Sequence, residues 1–354
     1  MEVFRDMVKQ EHEQVVFCYD KVSGLKAIIA IHDTTLGPAL GGVRIWPYAS
    51  EEEALFDVLR LAKGMTYKNA AMGLNLGGGK AVIIADPKKD KTEELFRAFG
   101  QFINSLGGRY ITAEDVGSSI DDMTIIRSVT PYVGGLPETS GDPSINTAYG
   151  VFRGIQAAAM HKFGSDDLAG KTVAIQGAGK VGTFLLSHLL EAGARVLITD
   201  IFPERVEEAV KMGAQAIEPG EIFSVDCDIF SPCALGGIIN DESIPQLKAK
   251  IVAGSANNQL LEPRHGKALA ERGILYAPDF IINGGGVINV ATELEPGGYS
   301  QEKARAKAGK IYDILLNIFA LAEEKGMAPH EAADLYAEER IRKALEQKRM
   351  YVPC

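Results

Sequence analysis

Residues 171–182 read KTVAIQGAGKVG. The first six residues predict a strand, and residues 184–190, just after the glycines, have the apolar pattern of a helix. A Gly-x-Gly-x-x-Gly run alone is a weak signal. Between a strand and a helix it is a stronger one, because the glycines admit a pyrophosphate to the helix N-terminus. The stretch therefore predicts a Rossmann-type dinucleotide-binding domain.

The next strand towards the C-terminus predicts which dinucleotide is bound. Residues 195–199 read as this strand, and it ends at Asp200, twenty-three residues after Gly177. An acid at this place accepts hydrogen bonds from ribose hydroxyls and repels a 2′-phosphate, which favours NAD over NADP. A packing turn followed by an ordinary strand-end acid is the less favoured interpretation.

Small and amide residues follow three more strand-like runs, which cover 227–230, 251–253 and 276–282. The runs end in SPCA, GSANN and NGGG. Because strands of a parallel sheet end at one edge, this repetition predicts a bed for the nicotinamide ring there. Residues 302–325 and 329–347 then predict two helices that are charged on one face and apolar on the other.

A second glycine run, LNLGGGK at 74–80, lies in the N-terminal half, and its Lys80 is twelve residues after Lys68. It predicts a glycine loop that can take φ values closed to other residues and lets a ligand approach closely, with Lys80 opening a strand at 81–85. A phosphate-binding P-loop needs Gly-x-x-x-x-Gly-Lys-Ser/Thr, but Leu74 stands five before Gly79 and Ala81 follows the lysine. The P-loop is therefore rejected.

Two lysines and one acid near this run are candidate catalytic residues. If Lys68 and Lys80 face one pocket, each disfavours the charge of the other, and burial lowers both pKa values further. The spacing alone leaves open that both are solvated surface charges. Asp115 follows a predicted strand at 109–112, and the serines and acids at 118–122 supply a helix cap, so Asp115 is not needed as one.

Length and composition limit the remaining possibilities. A chain of 354 residues favours two α/β domains, and the Gly-, Pro- and Ser-rich stretch 133–144 reads as their junction. We predict a substrate-binding and oligomerisation domain at 1–140, the Rossmann domain at 141–328 and a helical segment at 329–354 that packs back on the first domain. The net charge of −10 argues against nucleic-acid and membrane partners. The four scattered cysteines, with no metal-ligand or transmembrane pattern, fit a cytoplasmic protein without a metal site.

The order of the motifs resembles that of one enzyme family. Pro38–Gly42 (PALGG), Met65–Lys68 (MTYK), Gly77–Lys80 (GGGK), Thr112–Asp115 (TAED), Gly177–Gly182 and Ser255–Gln259 (SANNQ) occur in the order found in the glutamate/leucine/phenylalanine/valine dehydrogenases. The resemblance covers essentially the whole chain and is closest to the leucine-specific members, then to the phenylalanine-specific ones. It implies a homo-oligomer of two-domain subunits, each with a catalytic cleft, that oxidatively deaminates an L-amino acid with NAD.

The resemblance also implies roles for matching residues. Lys68 would bind the substrate carboxylate, Lys80 would activate the attacking water, and Asp115 would exchange protons with the amino group. Gly41, Met65 and Asn258 would line the substrate site. The nicotinamide would be positioned by Thr147, Ala234 and Asn257, and the rest of the dinucleotide would contact Gly177, Ala178, Gly179, Lys180, Val181, Gly182 and Asp200.

The resemblance also implies which substrate side chains the enzyme accepts. In the glutamate enzymes a lysine pairs the substrate side-chain carboxylate, and the matching position here is Leu40. Ala113, Val287 and Val290 would form the other pocket walls, so a buried glutamate carboxylate would be unpaired. We therefore expect leucine, valine and isoleucine as substrates. A phenylalanine-specific enzyme of the same architecture and a non-catalytic NAD-sensing protein stay open as alternatives.

Overall fold

The computed structural model describes residues 2–346, which form two compact units. The first unit comprises residues 2–142, 290–300 and 337–346, and the second comprises residues 143–289 and 301–336. Cys354 and the end of the segment 329–354 lie outside the described residues.

The first unit is built around one mixed sheet. Its strands are β1 (Gln14–Tyr19), β2 (Lys26–Asp33), β3 (Ala39–Leu40), β4 (Val43–Trp46), β5 (Gly77–Ile84) and β6 (Tyr110–Ile111), and its helices are α1 (Val3–Gln10), α2 (Glu51–Ala71), α3 (Glu93–Ser105) and α4 (Ile120–Arg127). The order is β1-β2-β5-β3-β6, with β4 also paired to β5. β5 is antiparallel to β2 and parallel to β3 and β4, so it lies at the centre of the sheet.

Alternation along β5 sends its side chains to two different cores. Val82 packs with residues of α2 on one face, and Ala81 and Ile83 pack with residues of α3 and α4 on the other. The three helices begin with side-chain caps from Ser50, Thr92 and Ser119. Ser119 and Asp122 form the predicted capping box, so α4 does not depend on Asp115 for its cap.

The second unit contains a six-stranded sheet that is parallel throughout. Its strands are β7 (Thr172–Gln176), β8 (Arg195–Thr199), β9 (Gln215–Ala216), β10 (Ile229–Pro232), β11 (Ile251–Val252) and β12 (Leu275–Tyr276), and its helices are α5 (Ser144–Phe163), α6 (Lys180–Glu191), α7 (Pro203–Met212), a 3₁₀ turn (Ile244–Gln246), α8 (Arg264–Glu271), α9 (Asp279–Ile282), α11 (Gln301–Gly309) and α12 (Ile311–Lys325). The order β12-β11-β10-β7-β8-β9 is that of the Rossmann fold. The order of strands reverses between β7 and β10, and ligands bind such sheets at that point. The remaining helices, α10 (Gly285–Glu293) and α13 (Pro329–Leu345), have residues in both units.

Three predicted elements differ from the structure. Gly77–Gly79 lie inside β5 and are not a loop before it. The strand expected at 276–282 ends at Tyr276, and a helix forms at Asp279–Ile282 instead, because Pro278 cannot donate a hydrogen bond to a continuing strand. The single helix expected at 302–325 is two helices, α11 and α12, separated at Lys310.

No helix in residues 2–346 is both long and apolar enough to cross a lipid bilayer. Within the same residues, no group of three or more His, Cys, Asp or Glu side chains is arranged to hold a metal ion. Cys18 and Cys227 are buried free thiols, and burial raises the pKa of each to about 12.

Candidate active site

The glycine run at 77–79 brings other parts of the protein close to β5. A Cβ on Gly77 would lie 2.1 Å from the Asp33 carbonyl oxygen, and one on Gly78 would lie 2.1 Å from the Thr66 amide nitrogen on α2. None of the three glycines has a positive φ. The expectation that they form a loop with φ values closed to other residues is therefore wrong. They let α2 and the β2–β3 connection approach the strand that carries Lys80.

Lys80 is buried in the middle of β5, with only 6% of its surface exposed. By alternation its side chain lies on the same face as Val82, the face covered by α2. The interpretation of Lys80 as a solvated surface charge is therefore excluded. Lys68, the other predicted lysine, is half-buried in the last turn of α2.

Asp115 reaches Lys80 because β3 and β4 run parallel beside β5, and β6 runs parallel beside β3. β3 ends at Leu40 and β4 begins at Val43, and the register continues with a bridge between Val43 and Glu114. Asp115 comes directly after this bridge, and its Oδ2 lies 3.2 Å from the Lys80 Nζ. The structure thus brings together the two residues predicted to be catalytic, although they are 35 positions apart in the sequence.

Arg44 also contacts this pair, and we did not single it out from the sequence. Its Nε donates to the same Asp115 oxygen at 3.1 Å, and its Nη1 donates to Asp57 Oδ2 at 2.9 Å. Asp57 also accepts from the Tyr48 hydroxyl at 2.8 Å and from Arg60 at 2.9 Å. The only sequence signal for Arg44 is its position two residues after the Gly41-Gly42 pair, in the strand that pairs with β5.

Burial and neighbouring charges set the protonation of the pair. Burial lowers the pKa of the Lys80 ammonium, Asp115 raises it, and the charge of Arg44 lowers it further, so that the pKa lies below its ordinary value. Burial alone would raise the pKa of the Asp115 carboxyl, but the positive charges of Lys80 and Arg44 outweigh this and hold it below the ordinary value. Asp115 is therefore anionic, and Lys80 loses its proton more readily than a solvated lysine.

Two of the predicted substrate-site residues lie against the glycine run. A Cβ on Gly41 would lie 1.8 Å from the Gly79 carbonyl oxygen and 3.2 Å from Met65 Cγ, so only glycine fits there. The Gly41 carbonyl accepts from the Tyr110 hydroxyl at 2.6 Å. Leu40 is 1% exposed at the end of β3, and Ala113 accepts a hydrogen bond from the Val43 amide through its carbonyl.

The end of α2, which carries Lys68, is fixed by two side chains. Asn69 is fully buried, and its Nδ2 donates to the Gly77 carbonyl at 2.6 Å. Arg340 on α13 donates to the carbonyls of Ala70 and Leu74 at 3.0 and 2.7 Å. These bonds connect the end of α2 to the segment that follows it and to the start of β5, so the connection from Lys68 to β5 is well defined.

The two valines of the predicted pocket occupy one helix, α10, as expected from their spacing. Val290 belongs to the first unit, and its Cγ1 would lie 2.7 Å from a Cβ on Gly134, which follows the bridge between Thr112 and Val133. Val290 is therefore close to the chain that leads into Ala113. Val287 belongs to the second unit and is half-buried.

The three glycines of the fingerprint in the second unit differ in their surroundings. Gly177 has a φ of 106° and lies against Ala234, where a Cβ would be 2.9 Å from the Ala234 Cβ. A Cβ on Gly182 would lie 2.0 Å from the Gly177 carbonyl oxygen, so this glycine allows α6 to pack against the loop. A Cβ on Gly179 would meet nothing within 4 Å. These are the surroundings expected where a tight turn, close helix packing and access for a pyrophosphate are needed.

The other cofactor residues surround this loop or lie at strand ends of the same sheet. Asp200 follows β8 and accepts from the Ala178 amide at 2.7 Å and from the Phe202 amide at 3.0 Å. A carboxylate has about four acceptor sites, so it retains capacity for ribose hydroxyls. Lys180 and Val181 open α6, where an N-terminus favours an anion. The residues therefore fit a dinucleotide.

Residues predicted to position the nicotinamide lie at several places in the second unit. Ala234 is exposed after β10. Asn258, which was predicted to contact the substrate, is exposed after β11 and has a φ of 51°. Asn257 is also exposed, and its Oδ1 accepts from Asn283 at 2.7 Å. Thr147 is in the first turn of α5, and its hydroxyl donates to the Pro143 carbonyl at 2.8 Å.

Comparison with known proteins identifies the family to which these features belong. Residues 12–132 match the model of the Glu/Leu/Phe/Val dehydrogenase dimerisation domain, and residues 140–201 and 202–349 match that of the Glutamate/Leucine/Phenylalanine/Valine dehydrogenase domain. The chain belongs to the glutamate/leucine/phenylalanine/valine dehydrogenase family. Membership confirms the predicted family and two-domain α/β fold, and makes the protein an amino-acid dehydrogenase with a nicotinamide cofactor.

Individual members of the family are similar over nearly the whole chain. Leucine dehydrogenase of Geobacillus stearothermophilus is 62% identical over 96% of this chain and 94% of its own length. Phenylalanine dehydrogenase of Caldalkalibacillus thermarum is 51% identical over 97% of this chain and 95% of its own length. The crystal structure of L-tryptophan dehydrogenase from Nostoc punctiforme superposes with a TM-score of 0.87 at 48% identity, covering 97% of this chain and 99% of that one.

Proposed function

We propose that this protein catalyses the NAD-dependent, reversible oxidative deamination of leucine, valine and isoleucine to the 2-oxo acid, ammonium and NADH. The observation that carries the proposal is the buried contact between Lys80 and Asp115 at 3.2 Å. The similarity to leucine dehydrogenases, at 62% identity for the Geobacillus stearothermophilus protein, supports the aliphatic substrates.

The chemistry requires three groups around the substrate. Lys68 binds the α-carboxylate, since a carboxylate taken from water needs a cation. Asp115 takes a proton from the substrate amino group, and a bound NAD would supply the hydride acceptor for Cα. Lys80 then takes a proton from the water that attacks the iminium carbon, and its lowered pKa suits a general base. Asp115 returns its proton to the departing ammonia.

We propose NAD as the cofactor because of Asp200. Its side chain is 7% exposed and is fixed by the Ala178 and Phe202 amides, so a carboxylate is held beside the fingerprint loop. This arrangement favours two ribose hydroxyls and repels a 2′-phosphate.

Leu40 supports the exclusion of glutamate. It is 1% exposed, and no lysine occupies its place to pair a second carboxylate. An unpaired carboxylate buried there costs several kcal/mol. Ala113, Val287 and Val290 complete the proposed pocket. One methylene changes binding by only about 1–3 kcal/mol, so valine and isoleucine are also substrates, in addition to leucine.

The test is NADH absorbance with NAD and a panel of leucine, valine, isoleucine, phenylalanine and glutamate. Aliphatic substrates should give the highest kcat/KM, and glutamate should give no measurable rate. Lys80→Met should abolish turnover while NADH binding persists, and the matched control Lys89→Met, at a lysine that is 78% exposed, should leave kcat unchanged. NADH formation that requires no amino acid, or a preference for glutamate, would contradict the proposal.

The panel also separates two alternatives. A phenylalanine dehydrogenase of the same architecture would prefer phenylalanine over leucine. A non-catalytic NAD-sensing protein would bind NADH but form none with any amino acid. The buried pair of Lys80 and Asp115 argues against a sensor, because a protein that only binds a dinucleotide does not need this ion pair.

We also propose that the protein is a cytoplasmic homo-oligomer. β1 is an edge strand of the first unit, and its Phe17 and Tyr19 are 49% and 65% exposed. Phe4 of α1 is 82% exposed. Apolar groups on an exposed sheet edge favour burial against another copy. The division of the chain at 140/141 and 328/329 into substrate-binding, NAD-binding and C-terminal helical parts belongs to the same proposal. Light scattering should give a mass above that of one chain.

A further inference from the structure

We propose that Arg44 is a positioning residue for the reaction, which holds the Asp115 carboxylate in place beside Lys80 and is itself held by Asp57. The inference rests on the proposed roles of Lys80 and Asp115. It adds a group that the substrate and cofactor do not need to touch.

The geometry places Arg44 between two carboxylates. Its Nε and Nη1 donate to Asp115 and Asp57 at 3.1 and 2.9 Å, and its side chain is 20% exposed. A guanidinium presents these two donors in one rigid plane, so a fixed Asp57 also fixes the oxygen that Asp115 presents to Arg44. Asp57 is 15% exposed and is held in turn by the Tyr48 hydroxyl and by Arg60. A series of side-chain contacts therefore leads from Asp57 through Arg44 and Asp115 to Lys80.

The arrangement leaves part of Asp115 available for a substrate. Oδ2 accepts from both Lys80 and Arg44, and the backbone amide of Asp115 donates to Ser118 Oγ at 2.9 Å. Among the contacts of the described residues, Oδ1 has no hydrogen-bond donor. The protein therefore holds the Asp115 carboxylate through Oδ2, which leaves Oδ1 to accept the proton that the reaction moves.

The positive charge of Arg44 also affects the protonation of Lys80 and Asp115. Charged groups that act on Lys80 and Asp115 include Arg44 from β4 and Asp57 from α2, and the phenols of Tyr48 and Tyr110 are close to Asp115. Arg44 disfavours a proton on Lys80 and favours the anion of Asp115. Lys80 and Asp115 are therefore both able to accept a proton at a lower pH than they would be without Arg44. Asp57 compensates the charge that Arg44 brings into the site.

Three variants separate charge from geometry. Arg44→Met removes both, and the acidic limb of the kcat/KM profile for leucine oxidation should move up by about one pH unit. Arg44→Lys keeps the charge but cannot span both carboxylates, so the limb should stay near the wild-type position while kcat falls about tenfold. Asp57→Asn keeps the Arg44 charge and weakens its support. This variant should lower kcat, and it should shift the acidic limb of the kcat/KM profile less than Arg44→Met does.

The matched control is Arg97→Met, which removes a 49% exposed arginine of the same unit that pairs with Glu93 on α3. It should leave both the limb and kcat close to wild type. NADH affinity, measured by fluorescence quenching, should be unchanged in all variants, because these residues belong to the first unit and the dinucleotide residues to the second. If Arg44→Met does not fold, Arg44→Lys and Asp57→Asn provide the test.

A readout independent of turnover separates this inference from the proposed function. Acetic anhydride acetylates only a neutral amine. The pH dependence of Lys80 acetylation, quantified by mass spectrometry, therefore reports its pKa in wild type and Arg44→Met. A higher labelling pKa in Arg44→Met supports the inference. Superimposable labelling curves, or unchanged pH profiles and kcat in all three variants, would overturn it. A wild type without leucine-dependent NADH formation would overturn the proposed function only.

Discussion

The buried histidine pair His12 and His32 predicts how this protein loses stability in acid. Their rings meet edge to face at 4.7 Å, and both residues are less than 10% exposed. Each Nε2 lies 3.0 Å from a backbone carbonyl, of Leu59 for His12 and of Gln10 for His32. Because a carbonyl only accepts, each Nε2 carries the proton. His12 Nδ1 is buried without a hydrogen-bond partner, and His32 Nδ1 accepts from Thr66.

Protonation of His12 would therefore place an N–H group where it has no acceptor, and protonation of His32 would require the Thr66 hydroxyl to accept instead of donate. Burial lowers the pKa of His12 from 6.5 to about 4, and burial with the neighbouring His12 lowers the pKa of His32 to about 3. A folded-state pKa below the unfolded value means that the unfolded chain binds more protons between these pH values. Stability is then complete above pH 6.5 and falls as the pH decreases. Between pH 7.5 and 5.0 the linkage relation gives a loss of roughly 2 kcal/mol for each histidine.

The measurement is urea unfolding at pH 7.5 and pH 5.0, at one fixed protein concentration, for wild type and the double variant His12→Gln/His32→Gln. A glutamine amide can still donate to the carbonyls but does not titrate. The double variant should lose roughly 4 kcal/mol less than wild type over this pH range. His161→Gln, which removes a histidine from the second unit, is the control and should behave as wild type. An equal loss in wild type and the double variant would refute the reasoning.

Three further predictions concern the site. Asp115→Asn should reduce kcat at least a hundredfold with unchanged NADH affinity, because the proton acceptor is lost; a kcat within threefold of wild type would remove it from its role. Asp200→Ala should raise the ratio of kcat/KM with NADP to that with NAD at least tenfold, because the carboxylate no longer repels a 2′-phosphate; an unchanged ratio would mean that another group enforces the preference. Gly78→Ala should lower the melting temperature by several degrees, because a Cβ would lie 2.1 Å from the Thr66 amide on α2. The matched control Gly73→Ala, where a Cβ meets nothing within 4 Å, should have a smaller effect through its positive φ alone, and equal effects would contradict the packing argument.

The sequence alone determined the family and the fold of the second unit. The fingerprint at Gly177–Gly182 and the acid at Asp200 are local patterns, and each depends on residues within one strand–loop–helix–strand segment. The structure places Gly177 at a positive φ and Gly179 beside open space, as such a segment requires. The roles of Lys68, Lys80 and Asp115 came from motif order, since nothing local indicates that two of these residues touch.

The tertiary structure alone decided what surrounds Lys80. Arg44 contacts Asp115 across 71 positions of sequence, and Arg340 contacts the end of α2 across about 270, distances over which no periodicity or spacing carries information. The function of the glycine run was likewise invisible in the sequence. A glycine that lets a ligand approach and one that lets a helix pack look the same in one dimension. Only the position of Thr66 opposite Gly78 distinguishes them.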